Sequence, residues 1–519
     1  MAPRRLRYAA RISALALGSA LALLAACSDE ADPPAASPAP GVEASSTEGA
    51  SLVPRDPLPE ARVAAILALL LERSPDAVAL QVALDEIVAA HDTRFVAPLI
   101  ELMRAGPARL AASSPLFVEV LRELSGLTLS RDWDQWVTWY GTAGLEPPPG
   151  FAAWKGRILA GIDPRFTEFL YEGVDHTIPI EAIVWGGVPV DGIRALERPP
   201  VLEAEAATYL DPGEPVFGVV AGGEARAYPL RIMDAHEMAN DVLGGVPISL
   251  AYCTLCGSGI AYDARGADGV VYDFGTSGLL YESNKLMYDR QTGTLWSQFT
   301  GRPVVGPLVE AAASTSGSLL EVLPIVIARW SDWVARHPAT TVLDIETGHG
   351  SGYTLGYPYL QYFTDGNPLF PVSRRSLQLA AKDWVLGLDI EGEQKAYALD
   401  ALTAPGGVVV NDTLGGVDLV VVSGGPIVDV IAETAIVGEL QYEAGGEVRA
   451  FRRPPGVTFE AGPDLDTLID ATGAAWRVTE DALIGPEGVA RGERLPGHVA
   501  FWFGWFQFFP RTEVFGARG

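Results

Sequence analysis

The spacing of hydrophobic residues changes near residue 170 and divides the chain into two parts. From Pro59 to about Leu145, apolar residues recur every three or four positions, which is the period of an amphipathic helix. One stripe comprises Val63, Ile66, Leu67, Leu70 and Leu71, and a second comprises Val82, Leu84, Ile87 and Val88. We therefore predict an all-α module over residues 59–160, built from helix pairs that resemble HEAT repeats.

Beyond residue 170 the hydrophobic runs become short, rich in β-branched residues, and interrupted by glycine and proline. Such runs are typical of β-strands joined by tight turns. We expect a β-rich α+β body in this part of the chain. The predicted fold class is therefore multidomain, with the helical module followed by the β-rich body.

The body also contains an internal duplication of its sequence pattern. Residues 224–230 (EARAYPL) return as residues 393–399 (EQKAYAL), and residues 240–246 (NDVLGGV) return as residues 411–417 (NDTLGGV). The repeated positions are mostly glycine, proline, aromatic and aliphatic residues, which shape turns and cores. We predict two degenerate repeats that share a scaffold, over residues 170–345 and 360–516.

The N-terminus has the pattern of a lipoprotein signal. Residues 1–26 carry four arginines and no acidic residue, and an apolar run that is too short to span a membrane ends immediately before Cys27. We predict cleavage before Cys27 and lipidation of its thiol, which would anchor the protein to a membrane. Residues 27–58 are rich in proline, alanine and serine and are predicted to form a flexible tether. The expected location is extracytoplasmic, and Ser28 after the cysteine favours the outer membrane of a cell that has one.

Charge and cysteine content exclude two classes of protein. The 519 residues include 65 acidic and 37 basic side chains, for a formal charge of −28. An acidic surface repels phosphate backbones, so a general nucleic-acid binder is excluded. A chain of this length with three cysteines is also not a small scaffold held together by disulfides.

Candidate chemistry lies in a Cys-x-x-Cys segment that only the first repeat contains. A strand-like run leads into Cys253 and Cys256, Gly257 follows, and a second strand-like run begins. This order is the shape of a metal knuckle, in which two sulfurs converge and the glycine adopts positive φ. A redox-active dithiol and a structural disulfide are the alternatives. The corresponding residues 420–424 of the second repeat contain no cysteine.

A metal needs more ligands than two cysteines supply. His236 is the first candidate, Met287 the second, and His337 lies behind them. Two thiolates with histidine and methionine suit copper, whereas two thiolates with histidine and a carboxylate or water suit zinc. Each of these residues also has an ordinary structural explanation: a local hydrogen bond, a core position or a helix end. Asp289 and Arg290 are possible supporting residues, as an anchor for an anion or as a simple ion pair.

Several motifs of the body together resemble the bacterial domain-of-unknown-function family DUF3179. The motifs are Tyr228-Pro229-Leu230, His236-Glu237-Met238, Tyr252-Cys253-Thr254-Leu255-Cys256-Gly257, Met287-Tyr288-Asp289-Arg290 and Leu295-Trp296-Ser297-Gln298. The resemblance covers about residues 170 to 516. It implies an exported protein or lipoprotein and no particular activity. The chain departs from the family pattern at Ala235, where an aromatic residue is expected.

Three functions are consistent with these features. The first is a tethered extracytoplasmic lipoprotein with a soft-metal site, for copper or zinc, at Cys253 and Cys256 with His236 and Met287. The second is an extracytoplasmic thiol–disulfide oxidoreductase that uses the same cysteine pair. The third is a non-catalytic binding or scaffold lipoprotein that holds a protein partner through the helical module.

Overall fold

A computed structural model of the chain describes residues 56–106, 114–313, 320–350, 352–356, 358–403, 407–434 and 438–517. The predicted signal peptide, Cys27 and nearly all of the predicted tether lie outside these residues. Within them, no helix combines the length and the hydrophobicity required to cross a bilayer.

The described helices lie mainly in the N-terminal part. They are α1 (Glu60–Leu70), α2 (Ala77–Ala90), α3 (Val96–Ala105), α4 (Ser114–Ser125), α5 (Trp133–Ala143), α6 (Phe151–Leu159), α7 (Phe166–Phe169), α8 (Leu230–His236), α9 (Val309–Ala313), α10 (Trp330–Arg336), α11 (Leu360–Thr364) and α12 (Trp502–Phe508). The N-terminal helical part predicted from the sequence is therefore present.

The strands begin at residue 183. In the first half of the body they are β1 (Ile183–Trp185), β2 (Leu196–Glu197), β3 (Val201–Glu203), β4 (Pro215–Ala221), β5 (Glu224–Pro229), β6 (Met238–Leu243), β7 (Val246–Cys253), β8 (Ser258–Asp263), β9 (Phe274–Tyr281), β10 (Asn284–Asp289), β11 (Leu295–Ser297), β12 (Arg302–Val305), β13 (Val322–Leu323), β14 (Ile325–Arg329) and β15 (Thr341–Leu343). In the second half they are β16 (Trp384–Ile390), β17 (Glu393–Ala398), β18 (Val408–Leu414), β19 (Val417–Thr434), β20 (Gly438–Arg452), β21 (Phe459–Ala461), β22 (Thr467–Asp470), β23 (Ala475–Val478), β24 (Ala482–Ile484), β25 (Ala490–Glu493), β26 (Gly497–Phe501) and β27 (Glu513–Phe515).

The helical part forms because its apolar stripe is buried. The α1 residues Val63, Ile66, Leu67 and Leu70 pack into a core with the other helices. Asp76 begins α2 by accepting hydrogen bonds from two backbone amides of its first turn, at 3.1 and 2.9 Å. The second predicted stripe is only partly correct, because Val82 is 47% exposed. The same core includes residues of β1, β9, β10 and β12, so the helices pack directly on the first sheet of the body.

Each half of the body builds its own sheets from the residues that the structure describes. The strand orders in the first half are β1-β9-β10-β11-β12, β13-β8-β7-β6-β2 and β14-β4-β5-β15-β3. Those in the second half are β26-β16-β17-β27, β18-β19-β20 and β21-β22-β23-β24-β25. The β-rich body predicted from the sequence is therefore present.

One sheet arrangement occurs in both halves. In each, a central antiparallel hairpin (β4–β5 or β16–β17) pairs with an antiparallel strand on one side and a parallel strand on the other. The hydroxyl of Tyr228 donates to Asp241 at 2.8 Å, and that of Tyr397 donates to Asp412 at 2.8 Å. The two halves thus share a strand arrangement and a matching tyrosine–aspartate hydrogen bond.

Candidate functional site

The Cys-x-x-Cys segment forms the tip of a β-hairpin. Strand β7 ends at Cys253, which pairs with Ser258 at the start of β8. Between them, Thr254–Cys256 form one turn of 3-10 helix, and Gly257 follows with a φ of 62°. Glycine adopts this left-handed conformation without the steric cost that a side chain would add. The segment therefore has the strand–turn–strand shape that the sequence predicts.

Both cysteines are buried free thiols. Cys253 is 1% exposed and Cys256 is fully buried. The two thiols are close enough for each to shift the ionisation of the other. The Cys256 thiol also lies 3.4 Å from the carbonyl oxygen of Ser283. Two adjacent thiols in one turn can form a disulfide with each other or share a soft metal ion.

The second half of the body covers this turn. Cys253 and Cys256 share a hydrophobic core with Trp384 and with residues of α12. The Trp384 ring occupies the space next to Gly257, where an added β-carbon would lie 2.4 Å from the ring. A second such contact joins α12 to the turn, because a β-carbon on Gly504 would lie 3.4 Å from the Cys256 sulfur. The site is thus assembled from residues of both halves.

Two buried charged side chains, Lys285 and Glu237, and the partly buried Tyr359 lie next to the thiols. The Lys285 ammonium, on β10, donates a hydrogen bond to the backbone carbonyl of Glu237. The Glu237 carboxylate accepts a hydrogen bond from the Tyr359 hydroxyl at 2.8 Å. Glu237 adopts a φ of 55° directly after α8, which turns the chain into β6. Lysine, glutamate and cysteine are thereby brought together from three separate strands and loops.

The surroundings shift the pKa values of the two thiols in opposite directions. Burial and the charge of Glu237 raise the pKa of Cys253, but the neighbouring Cys256 thiol, the backbone amide of Lys285 and the Lys285 ammonium together lower it below its usual value. Burial and the neighbouring Cys253 both raise the pKa of Cys256 well above its usual value. Cys253 is therefore the thiol that ionises first, and the thiolate is the reactive form of cysteine.

Burial also shifts the two charged neighbours. It lowers the pKa of Lys285, although the charges of Glu237 and Cys253 act in the opposite direction. It raises the pKa of Glu237, and Lys285 and the Tyr359 hydroxyl offset part of that increase. A carboxyl group with a raised pKa can hold and release a proton closer to neutral pH.

A cavity of about 90 Å³ adjoins Cys253. Its polar lining side chains include those of Glu237, Lys285 and Tyr359, and the rest of its wall is mostly apolar. Leu369, which lines this cavity, is 40% exposed at the protein surface. A small molecule that enters past Leu369 would meet Cys253.

His236 is engaged elsewhere through both ring nitrogens. Nδ1 lies 2.6 Å from the carbonyl oxygen of Arg194, and Nε2 lies 2.6 Å from the Tyr353 hydroxyl. Burial lowers the pKa of His236 to about 4, so the ring is neutral at pH 7. The ring of a second histidine, His349, lies near it, with the two ring centres 5.1 Å apart. Both nitrogens that could bind a metal are thus occupied by hydrogen bonds.

The other candidate ligands lie apart from the cysteines. Met287 belongs to a separate core that includes Phe274 and Trp296. His337 packs on Trp333, with ring centres 4.2 Å apart, and lies 3.7 Å from Glu480. Across the part of the chain that the structure describes, no three histidine, cysteine or acidic side chains are grouped so as to hold a metal ion.

The two supporting candidates have structural partners. Asp289 is fully buried and accepts hydrogen bonds from the Trp296 indole and the Thr292 hydroxyl, each at 2.8 Å. Arg290 forms an ion pair with Asp191 at 3.1 Å. These contacts correspond to the ion-pair alternative rather than to an anion anchor.

Sequence reasoning missed Lys285, Glu237 and Tyr359 as parts of the site. A lysine directly before Leu286 and Met287 in strand β10 was the available signal, because lysine is almost never fully buried without a specific partner. Glu237 directly follows His236, but nothing in its local sequence indicates a buried carboxylate. Tyr359 lies more than a hundred residues from either cysteine, and only the fold brings it near them.

The fold and site define a two-part β-rich body with a buried dithiol at a hairpin tip. Over residues 190–512 the chain matches the family described as protein of unknown function DUF3179. This match covers more than half of the chain and both halves of the body, so the chain belongs to that family, as its motifs predict. No curated protein and no solved structure matches the chain.

Proposed function

We propose that Cys253 and Cys256 are a redox-active dithiol that exchanges electrons with a disulfide substrate. The observation that carries this proposal is the unequal placement of two adjacent thiols. Cys253 faces a cavity beside the Lys285 ammonium, whereas Cys256 packs against Gly504. Dithiol exchange needs one accessible attacking thiol and one resolving thiol within its reach.

The reaction would proceed in two exchanges. The Cys253 thiolate attacks one sulfur of a disulfide R–S–S–R, which forms a mixed disulfide and releases R–S⁻. Cys256 then attacks the Cys253 sulfur, forms the Cys253–Cys256 disulfide and releases the second R–S⁻. Each released thiolate takes up a proton, so two electrons and two protons pass from the cysteine pair to the substrate. A dithiol reductant returns the pair to its reduced form by the reverse steps.

Two neighbouring residues would assist these steps. The Lys285 ammonium stabilises the Cys253 thiolate by its charge. Glu237 lies in the same cavity, and its raised pKa suits it to give a proton to a leaving thiolate or to take one from Cys256. Tyr359 would act as a positioning residue, since its hydroxyl holds the Glu237 carboxylate.

We also propose that the body consists of two degenerate repeats and that the dithiol belongs to the first. The support is the matched sheet arrangement and the matched pair of tyrosine–aspartate hydrogen bonds. Residues 420–424 of the second repeat correspond to the cysteine turn and contain no cysteine. The chemistry would therefore reside in the first repeat.

The proposed location is the extracytoplasmic face of a membrane, with lipidated Cys27 as the anchor. The support is the sequence pattern of residues 1–27. Lipidation would also leave Cys253 and Cys256 as the two thiols of the mature chain. The native protein is labelled with a radioactive or mass-tagged fatty acid. We expect the label on its N-terminal peptide, and we expect its loss in Cys27→Ser.

A soft-metal site at the same cysteines is the second candidate. The observation that favours it is the hairpin turn with Gly257 in the left-handed conformation. Metal knuckles have the same shape, in which two cysteine sulfurs can bind one ion. Two thiolates are soft ligands and suit copper(I) or zinc. His236 and Met287 could join them only by giving up their present contacts, so a bound metal would rely on the two sulfurs and a small-molecule ligand.

Thiol counting on the purified full-length protein distinguishes these functions. The protein is equilibrated with mixtures of reduced and oxidised dithiothreitol. Cys253 and Cys256 should be oxidised together, so that two thiols disappear from the count at a single midpoint redox potential. The Cys253→Ser/Cys256→Ser variant should show no such loss and corrects for any unmodified Cys27. Copper or zinc near one ion per chain, lost in that variant, would instead support the metal site. A thiol count that stays constant over the whole redox range would contradict the dithiol proposal.

A further inference from the structure

We propose that the dithiol acts on a low-molecular-weight, largely apolar disulfide and not on a disulfide of a folded protein. This inference rests on the proposed function, and it concerns the cavity next to Cys253. The size, the wall chemistry and the entrance of that cavity each limit which disulfides can reach the sulfur.

The cavity is too small for a peptide. Its volume of about 90 Å³ compares with roughly 300–1,000 Å³ for sites that bury drug-sized ligands. Cys253 itself is 1% exposed, so its sulfur is reached through the cavity and not from the protein surface. A protein disulfide carries two backbone segments that this space does not admit. One sulfur with a short substituent does fit.

The cavity wall favours an apolar substituent. Its side chains are mainly aliphatic and aromatic, and they include Val188, Ile193, Leu255, Leu279, Leu280 and Phe370. The Thr276 hydroxyl donates to the Ile193 carbonyl at 2.6 Å, and the Ser277 hydroxyl donates to the Leu286 carbonyl. These polar groups are already hydrogen bonded within the protein. The charged groups of the wall are also engaged, because the Lys285 ammonium donates to the Glu237 carbonyl and the Glu237 carboxylate accepts from Tyr359. A carboxylate or ammonium on the substrate would therefore lose its hydration and would have to displace one of these contacts to gain a partner.

The entrance lies at Leu369. This residue lines the cavity and, at 40%, is the most exposed residue of its wall, so we place the route from solvent to the thiol past it. Leu377 offers a matched control, because it is 100% exposed and is not part of the cavity wall. A larger side chain at residue 369 should narrow the entrance, whereas the same change at residue 377 should not.

The test compares disulfides of graded size and polarity on the reduced full-length protein. The rate of Cys253–Cys256 oxidation is measured with dimethyl disulfide, diethyl disulfide, glutathione disulfide and insulin. Each rate is divided by the rate of the same disulfide with free dithiothreitol, which corrects for intrinsic reactivity. We expect the two dialkyl disulfides to react at least about tenfold faster than glutathione disulfide or insulin, because charged substituents lose their hydration in a wall that is mostly apolar.

Two further results decide the inference. Equal or faster normalised rates with glutathione disulfide or insulin would overturn the substrate class and leave the dithiol function intact. If none of the four disulfides oxidises the pair, the dithiol function itself fails.

The entrance is tested separately. Leu369→Trp should slow oxidation by diethyl disulfide severalfold, and Leu377→Trp should leave it unchanged. An unchanged rate in Leu369→Trp would overturn entry past this residue.

Discussion

Gly504, in a helix of the second half of the body, lies directly against the side chain of Cys256 in the first half. A β-carbon added to residue 504 would lie 3.2 Å from the Cys256 β-carbon and 3.4 Å from its sulfur. Because Gly504 has no side chain, the Cys256 side chain can occupy its position in the turn next to Cys253. The second half, which has no cysteine in the described residues, thus still shapes the reactive turn.

Replacing Gly504 with alanine should slow the second exchange step. The new methyl group displaces Cys256 by a few tenths of an ångström, and misplacement of a reacting group on this scale costs roughly threefold to tenfold in rate. The measurement is release of the second ethanethiol after a rapid reaction with diethyl disulfide. Gly213→Ala is the control, because a β-carbon there would meet nothing within 4 Å. Equal release rates in Gly504→Ala and the parent protein would contradict the positional role of Gly504.

Replacing Lys285 with methionine should raise the pKa of Cys253, because the ammonium that favours its thiolate is removed. An upward shift of this pKa leaves a smaller fraction of Cys253 ionised, so alkylation by iodoacetamide should become severalfold slower below that pKa. The pH profile of alkylation, followed by peptide mass spectrometry, measures the shift directly. Lys395→Met, which removes a lysine paired with Asp412 at 2.9 Å in the second half, should leave the profile unchanged. A profile unaltered by Lys285→Met would show that Lys285 does not activate the thiol.

Acid should destabilise the protein through buried neutral histidine. Burial lowers the pKa of His498 to about 4, and the value in the unfolded chain is about 6.5. The stabilisation is therefore complete above about pH 6.5 and is lost as the pH falls towards 4, by at most about 3 kcal/mol. His236, with a folded pKa of about 4, adds a loss of the same sign.

Urea unfolding at pH 7.5 and pH 4.5 measures this loss. His498→Phe should reduce the difference in unfolding free energy between the two pH values. Phenylalanine is a suitable replacement because the His498 ring already packs near Phe299 and Trp505. A difference as large in the variant as in the parent protein would rule out His498 as a source of the acid sensitivity.

Binding of copper or zinc, where it occurs, should require the cysteines and should not require His236. Both His236 nitrogens are hydrogen bonded, to Arg194 and Tyr353. Titration of the reduced protein with copper(I) should therefore give the same stoichiometry in His236→Gln as in the parent, and Cys253→Ser should abolish it. Loss of binding in His236→Gln, with folding retained by circular dichroism, would restore His236 as a ligand.

Local pattern alone predicts much of this architecture. The three-to-four-residue spacing of Val63, Ile66, Leu67 and Leu70 predicts a helix and its buried face. A helix has about 3.6 residues per turn, so side chains three or four positions apart lie on the same face. The cysteine turn is equally local, since two strand-like runs with a glycine between them favour a hairpin. Val82 shows the boundary of such reasoning. It fits the helical period, yet 47% of it is exposed, because among the residues that the structure describes no element covers that face.

The composition of the site was decided by tertiary structure. His236 and Met287 lie within about 35 residues of the cysteines in the chain, but packing directs them to other hydrogen bonds and another core. Lys285 and Gly504 come from a different sheet and from the other half of the body. Periodicity and turn preferences act over a few residues and can be read from the sequence. Which distant surfaces meet depends on the packing of whole sheets, and that packing selected the neighbours of the two thiols.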